Sequence, residues 1–484
     1  MLTIGTNGNA TCTVNKKYLR FSGYNFLLVS LGLISLVTSL STESWVAYAL
    51  FVGGILFCLS LSMRNQQLFE FSIFTLLTYV FTLEVVVHYL GHPINIRLRD
   101  LSLIPISLLL LRYSTKIFKS FSWWACTLGL FFYTCLGVII HSTPGIQALE
   151  SAIPYIIGIE YFFVIRYSKS DLSFVDLYKF IYVVCFFFTI GQTIAGFNVD
   201  QRNGIFGVFG LGAYSAFVLL YPIYEYSKWS VNQGTLRSTL ISIVISVAIL
   251  IMAECKAQVV LLFIALLIIG LIQRKVNLRP VISIVLVSFL VCVAVNLLTE
   301  IYPRFKSAMT LNGAQGYIFG NSNWGIYQYG RFEALINVYS RQSTTLLKII
   351  GNGLGSAASL DIVFLKEAGK VAYQPYFVRL YGLYYGYDLT GLSKLFLDGG
   401  IVLPICFLSV YVRTLLADIK SLRSTDKNVF VKAAVCLSFL INASYAFTYA
   451  DGINDRDMAF AAIICALVIK QVDQLNTYHK QYQV

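Results

Sequence analysis

The chain has 484 residues, 57% of them hydrophobic and only 12% charged, with a mean hydropathy of +0.72. A soluble protein of this length carries about twice that charged fraction, so a water-soluble enzyme or scaffold is excluded and a polytopic membrane protein is expected. The net charge of +13 suits basic cytoplasmic loops, and with no basic stripe interleaved with aromatics on a soluble face it gives no reason to expect a nucleic-acid partner.

Apolar runs predict an all-α polytopic integral membrane protein of about 14 transmembrane helices, with one large external loop containing short helices. The spans fall near 21–41, 45–63, 68–89, 100–112, 121–141, 149–166, 177–198, 204–226, 237–253, 257–273, 280–299, 395–416, 430–449 and 457–470. The first follows a basic leader and lacks a small-residue cleavage site, so it reads as a retained span. Three segments result: membrane helices over 1–299, the loop over 300–394, and membrane helices over 395–484. The ten cysteines are scattered singly, with neither zinc spacing nor a disulfide framework, and no metal site is expected.

Cation placement orients the spans. With the N-terminus inside, 22 of the 36 lysines and arginines fall in cytoplasmic segments, nine in the long loop, and five in short external loops. Such a bias is what the positive-inside rule demands. Both termini are therefore expected in the cytoplasm and the long loop outside.

Several polar groups stand out along the chain. Glu84 and His88 share a face of the third span, with His92 nearby; they read either as a functional intramembrane group or as a neutralised structural pair. Glu160 lies deep in the sixth span. Arg202, at the outer mouth of the eighth span, and Lys256, at the outer start of the tenth, are external cations that survive the charge bias. Each either snorkels to the headgroups or, together with Arg331 of the long loop, converges on a multiply anionic group such as a pyrophosphate.

The loop is tyrosine-rich, with 11 of the 32 tyrosines and Trp324. Tyr329, Tyr384, Tyr385 and Tyr387 are candidates to pack on sugar faces; the competing reading is an aromatic belt at the membrane interface. Arg331 and Glu333 open an amphipathic stretch whose apolar residues Phe332, Leu335, Ile336 and Tyr339 recur at helical spacing. The run Gly351-Asn352-Gly353-Leu354-Gly355 lacks the lysine and strand–helix setting of a nucleotide cradle and reads as a flexible turn after that helix. Glu333, Asp388 and Asp398 are carboxylates of the external segment and the return to the membrane; each reads either as a solvated surface group or as a general base that takes the proton of an attacking sugar hydroxyl.

Four motifs resemble the O-antigen polymerase and ligase superfamily of bacterial envelope glycan assembly. They are Arg202-Asn203-Gly204-Ile205-Phe206-Gly207 at the start of a span; Glu254-Cys255-Lys256-Ala257, where lysine stands in place of the family's arginine; Gly330-Arg331 followed by a helix and the glycine run; and Leu397-Asp398-Gly399-Gly400-Ile401 at the return to the membrane. The ligases carry a histidine shortly before that return. Here the stretch reads Tyr387-Asp388-Leu389, and no histidine occurs between His141 and His479.

The resemblance implies a cofactor-free, metal-independent glycosyltransferase at the outer face of a bacterial inner membrane. It would join undecaprenyl-pyrophosphate-linked oligosaccharide repeat units, one as donor and one as acceptor. Arg202, Lys256 and Arg331 would hold the pyrophosphate, with Asp388 or Glu333 as base; membrane lipid and a chain-length regulator protein are the further partners implied. The competing readings are an O-antigen ligase and a flippase or transporter of lipid-linked oligosaccharides. The long tyrosine-rich loop favours an enzyme over a transporter.

Overall fold

The computed structural model describes residues 103–141, 143, 145–167, 174–197, 202–204, 211–272, 331–340, 342–356, 390–424 and 426–448, with scattered helical positions at 293, 296, 299, 300, 312, 458, 462, 465, 466 and 468–470. The chain divides into two compact units. One comprises Met1–Leu108, Lys169–Leu172 and Ile205–Gly207, and apart from the first residues of a helix at Leu103–Ile117 (α1) it lies outside the described residues. The other, Leu109–Ser168, Ser173–Gly204 and Val208–Val484, holds the rest.

That second unit is mostly helical in its described residues, with no strand among them. Its helices are α2 (Phe121–His141), α3 (Gly145–Tyr167), α4 (Phe174–Ile194), α5 (Leu211–Ser230), α6 (Leu236–Met252), α7 (Lys256–Ile272), α8 (Arg331–Ser340), α9 (Thr345–Ile350), α10 (Gly391–Gly399), α11 (Val402–Leu422) and α12 (Lys427–Thr448). Helices α2 to α7 and α12 fall on runs expected to span.

Helix α5 is the hub, packed against α4, α6, α7 and α12. Its sequence explains why: Tyr214, Phe217, Val218, Leu219, Leu220, Ile223 and Tyr226 are all buried, covering the helix on every side. A helix apolar all round belongs inside a bundle. Short polar side chains tie its neighbours to it. Thr189 and Tyr214 share a hydrogen bond of 2.7 Å and Ser246 donates to the Val218 carbonyl at 3.2 Å, while Tyr182 of α4 joins two of those neighbours by donating to the Ser242 carbonyl of α6 at 2.9 Å. Within an apolar bundle such bonds satisfy groups that have no water to turn to.

Helices α2 and α11 are built the other way. Phe121, Trp124, Leu128, Phe131 and Ile139 on α2, and Val402, Ile405, Leu408, Val412 and Leu416 on α11, stand exposed at helical spacing. Large apolar stripes facing outward along helices of 20 residues suit hydrocarbon and not water. Among the described residues, Phe121–Ile140, Val402–Leu422 and Lys427–Tyr445 are long and apolar enough to cross a membrane. The chain is an all-α membrane protein.

One expected element differs. The span expected over 395–416 is two helices: α10 ends at Gly399, the chain turns at Gly400 with φ +57°, and α11 begins at Val402. A positive φ is readily adopted only without a side chain, so the second glycine of the Gly399-Gly400 pair is where the helix stops.

Candidate functional site

Two groups of residues singled out in the sequence come together in the second unit. The first is a junction between the glycine run and the end of α10. Thr344 caps the start of α9 by accepting from the Leu347 amide at 3.2 Å, and Thr390 caps α10 by accepting from Ser393 at 3.0 Å. Helix α9 ends at Gly351, φ +79°, and the chain then passes along the C-terminus of α10.

The last four carbonyls of a helix have no partner within it. Here each finds one. The Phe396 carbonyl accepts from the Gly400 amide at 2.9 Å and from Gln342 Nε2 at 3.2 Å. The Leu397 carbonyl accepts from the Asn352 amide at 2.8 Å and its Nδ2 at 3.1 Å, and the Asp398 carbonyl accepts from the Gly353 amide at 2.8 Å. The Gly399 carbonyl accepts from the Tyr133 hydroxyl of α2 at 3.5 Å.

The Leu354 amide then donates to the Tyr133 carbonyl at 2.9 Å, which seats the glycine run on α2. Gly353 and Gly137 make the seat possible. A Cβ on Gly353, at φ +85°, would collide with the Gly137 amide, and one on Gly137 would collide with the Leu354 carbonyl. Residues 351–356 are all buried. The expected flexible turn is thus a buried cap whose four consecutive amides, Gly351 to Leu354, are engaged with carbonyls.

Asp398 and Lys394 sit four apart on α10, both more than nine-tenths buried, and the Tyr155 hydroxyl of α3 donates to Asp398 Oδ2 at 3.5 Å. This carboxylate belongs to the junction interior. Leu354, Leu395, Tyr133, Tyr155, Ala152 and Met458 form the apolar core around it.

The second group surrounds Arg202. Its Nε donates to the Phe197 carbonyl, just past the end of α4, at 2.8 Å, and Nη1 donates to the Met252 carbonyl, the last of α6, at 3.3 Å. A guanidinium at two helix C-termini faces the negative ends of both helix dipoles. Two residues on, Gly204 pairs both its backbone groups with Gln192 of α4: its amide donates to Oε1 and its carbonyl accepts from Nε2, each at 3.0 Å. Gly204 has φ +56° and lies within 3.1 Å of a ring carbon of Tyr214 as measured from where its Cβ would stand, so the glycine is required there. From Met252 the chain turns through Ala253 and Glu254, φ +57°, and Lys256 opens α7.

Of the expected cations, then, Arg202 is fastened to the turn that leads into Lys256. Arg331 opens α8, which packs against α10; α10 packs against α12, and α12 against α7. Glu333 stands in the first turn of α8, half-buried. Asp388, Tyr329, Tyr384, Tyr385 and Tyr387 lie outside the described residues, as do Glu84, His88 and His92. No group of three His, Cys, Asp or Glu side chains that could hold a metal ion occurs among the described residues. No known family model and no curated protein matches the chain.

Gln192, Gly137 and Tyr133 carry much of this geometry and were not singled out in the sequence. Their signals are faint: a glutamine near the end of an apolar run, a glycine inside a span, one tyrosine among 32. Chemically, the arrangement holds a rigid guanidinium. Two of its five N–H groups are engaged with carbonyls and three remain among the described residues, enough to take phosphate oxygens as a fork.

Proposed function

We propose that the chain is a membrane glycosyltransferase that polymerises undecaprenyl-pyrophosphate-linked oligosaccharide repeat units at the outer face of a bacterial inner membrane. In this reading about 14 helices span the bilayer, both termini are cytoplasmic and the segment 300–394 is external. The observation that carries the reading is the fixed guanidinium of Arg202, bonded to the carbonyl of Met252 and so held against the turn from which Lys256 begins α7. A flexible cation would have to be ordered on binding; this one is ordered already.

The reaction asks little else of the protein. An acceptor sugar hydroxyl attacks the anomeric carbon of the donor, forming the new C–O bond. The bond from that carbon to the lipid pyrophosphate breaks, its electron pair leaving on the phosphate oxygen. Arg202, Lys256 and Arg331 stabilise that growing charge, which removes the need for a metal or cofactor. The acceptor's proton passes to a carboxylate, Glu333 or Asp388. Tyr329, Tyr384, Tyr385 and Tyr387 hold the sugars by ring faces and hydroxyls.

The test is Arg331→Ala expressed in place of the wild-type chain. Loss of polymer with the protein retained in the membrane at wild-type level supports the assigned role, and near-normal polymer overturns it.

A further inference from the structure

Helix α8 has a buried apolar face and an exposed one. Ala334 and Val338 are fully buried where α8 packs on α10, and Tyr339 meets Phe396 edge to face with ring centroids 5.8 Å apart. Phe332, Ile336 and Tyr339, at successive turns, are exposed, and α9 adds exposed Leu346 and Ile349. Ile336 is 65% exposed and Leu346 62%, compared with 55% for Ile405 and 59% for Leu408 on the outward stripe of the span α11. These side chains stand as open as ones that face lipid.

We infer that α8 and α9 lie on the bilayer surface, with Phe332, Ile336, Leu346 and Ile349 dipping among the acyl chains. Three observations choose lipid as the occupant. The first is continuity: the Ile401 amide donates to the carbonyls of Lys348 and Ile349 at 3.0 and 3.1 Å, which fastens the end of α9 to the entry of α11. Exposed Ile349 is therefore bonded to exposed Ile401, from which the stripe of Val402, Ile405 and Leu408 runs down the span.

The second is charge. Residues 331–350 carry Arg331, Arg341 and Lys348 against the single carboxylate of Glu333, a basic balance that anionic headgroups attract. The third is the aromatic edge. Tyr339 is exposed beside the apolar face with the Lys348 ammonium 5.4 Å over its ring, and a tyrosine with a neighbouring cation is the combination favoured at the headgroup level. A helix of ten residues is too short to hold itself in water, so packing on one face and lipid on the other both matter to it. The inference stands on α11 as a span and is independent of the chemistry proposed above.

The experiment places the photoreactive residue p-benzoylphenylalanine at position 336 or 346 of the full-length protein. Position 408 on α11 serves as the lipid-facing reference, and exposed Gln233, in the turn between α5 and α6, as the polar one. Each protein is reconstituted in nanodiscs of phosphatidylethanolamine and phosphatidylglycerol, irradiated and weighed by mass spectrometry. Lipid adducts at 336 and 346 in yields of the same order as at 408, with background at 233, are expected. Adducts at 408 but not at 336 and 346 overturn the inference, as do adducts to a second copy of the chain. No adduct at 408 removes the premise and overturns it as well.

Discussion

Replacing Gly353 with alanine tests whether the glycine run is a seated cap or a loop. The residue has φ +85°, and its Cβ would enter the backbone of α2 at Gly137. Left-handed backbone costs an L-residue about 1–2 kcal/mol, and forcing extra volume into a packed contact about 1–3 kcal/mol more, so the expected loss is about 2–5 kcal/mol. No rotamer relieves it, because both parties are main chain. The bonds from Gly353 to the Asp398 carbonyl and from Leu354 to the Tyr133 carbonyl are displaced with it. Against a usual stability of about 5–15 kcal/mol this is a large share.

The assay is the heat-induced loss of monodisperse protein in detergent, followed by size exclusion of a fluorescent fusion. Gly129→Ala, on the same helix α2 with open space around its Cβ, is the control and is expected to melt no lower than wild type. Gly137→Ala is expected to resemble Gly353→Ala, and the pair together to lose less than the sum, since both break one contact. A Gly353→Ala protein that melts with wild type would refute the seat.

Three further outcomes are expected. Gln192→Leu strips both backbone bonds from buried Gly204 and lowers stability by about 2–4 kcal/mol, read from the denaturation midpoint; a midpoint equal to wild type's contradicts the account. Arg202→Lys retains a cation but not the fork that reaches two carbonyls, so under the proposed function surface polymer is shortened or lost while the protein stays in the membrane; full-length polymer from this variant would refute the reasoning. Asp398→Asn removes the carboxylate one turn from buried Lys394 on α10 and lowers stability, a loss that Lys394→Met partly restores in the double variant. Additive losses would show that the two side chains do not interact.

Much of the helix pattern was legible because long apolar runs leave little choice in a membrane. The expected spans at 121–141, 237–253 and 257–273 coincide with α2, α6 and α7 to within a residue at either end. What hydropathy could not register is a helix break inside an apolar run. Leu395-Phe396-Leu397 and Ile401-Val402-Leu403 read as one span, and only the backbone geometry of Gly400 separates them. The glycine run was visible as a motif, and its role was not. That role depends on α10's carbonyls more than forty residues away, and hydrogen bonds at such separation leave no local pattern.

The cations divide in the same manner. Arg202 was marked by its survival in an external loop, but Gln192, which holds the neighbouring backbone, looked like any polar residue at a helix end. Lys394 was counted among the loop cations, yet it is buried, four residues from buried Asp398. Spacing alone would have paired them on one face; the apolar residues between them were the signal that the face is an inner one.

The most direct test of the proposed activity is to delete the gene and separate by size both the carrier-linked glycans and the surface glycans. The account predicts single repeat units on the undecaprenyl carrier, exposed at the outer leaflet and never elongated. Full-length polymer stranded on the carrier, as a ligase defect gives, or single units trapped on the cytoplasmic leaflet, as a flippase defect gives, would contradict it.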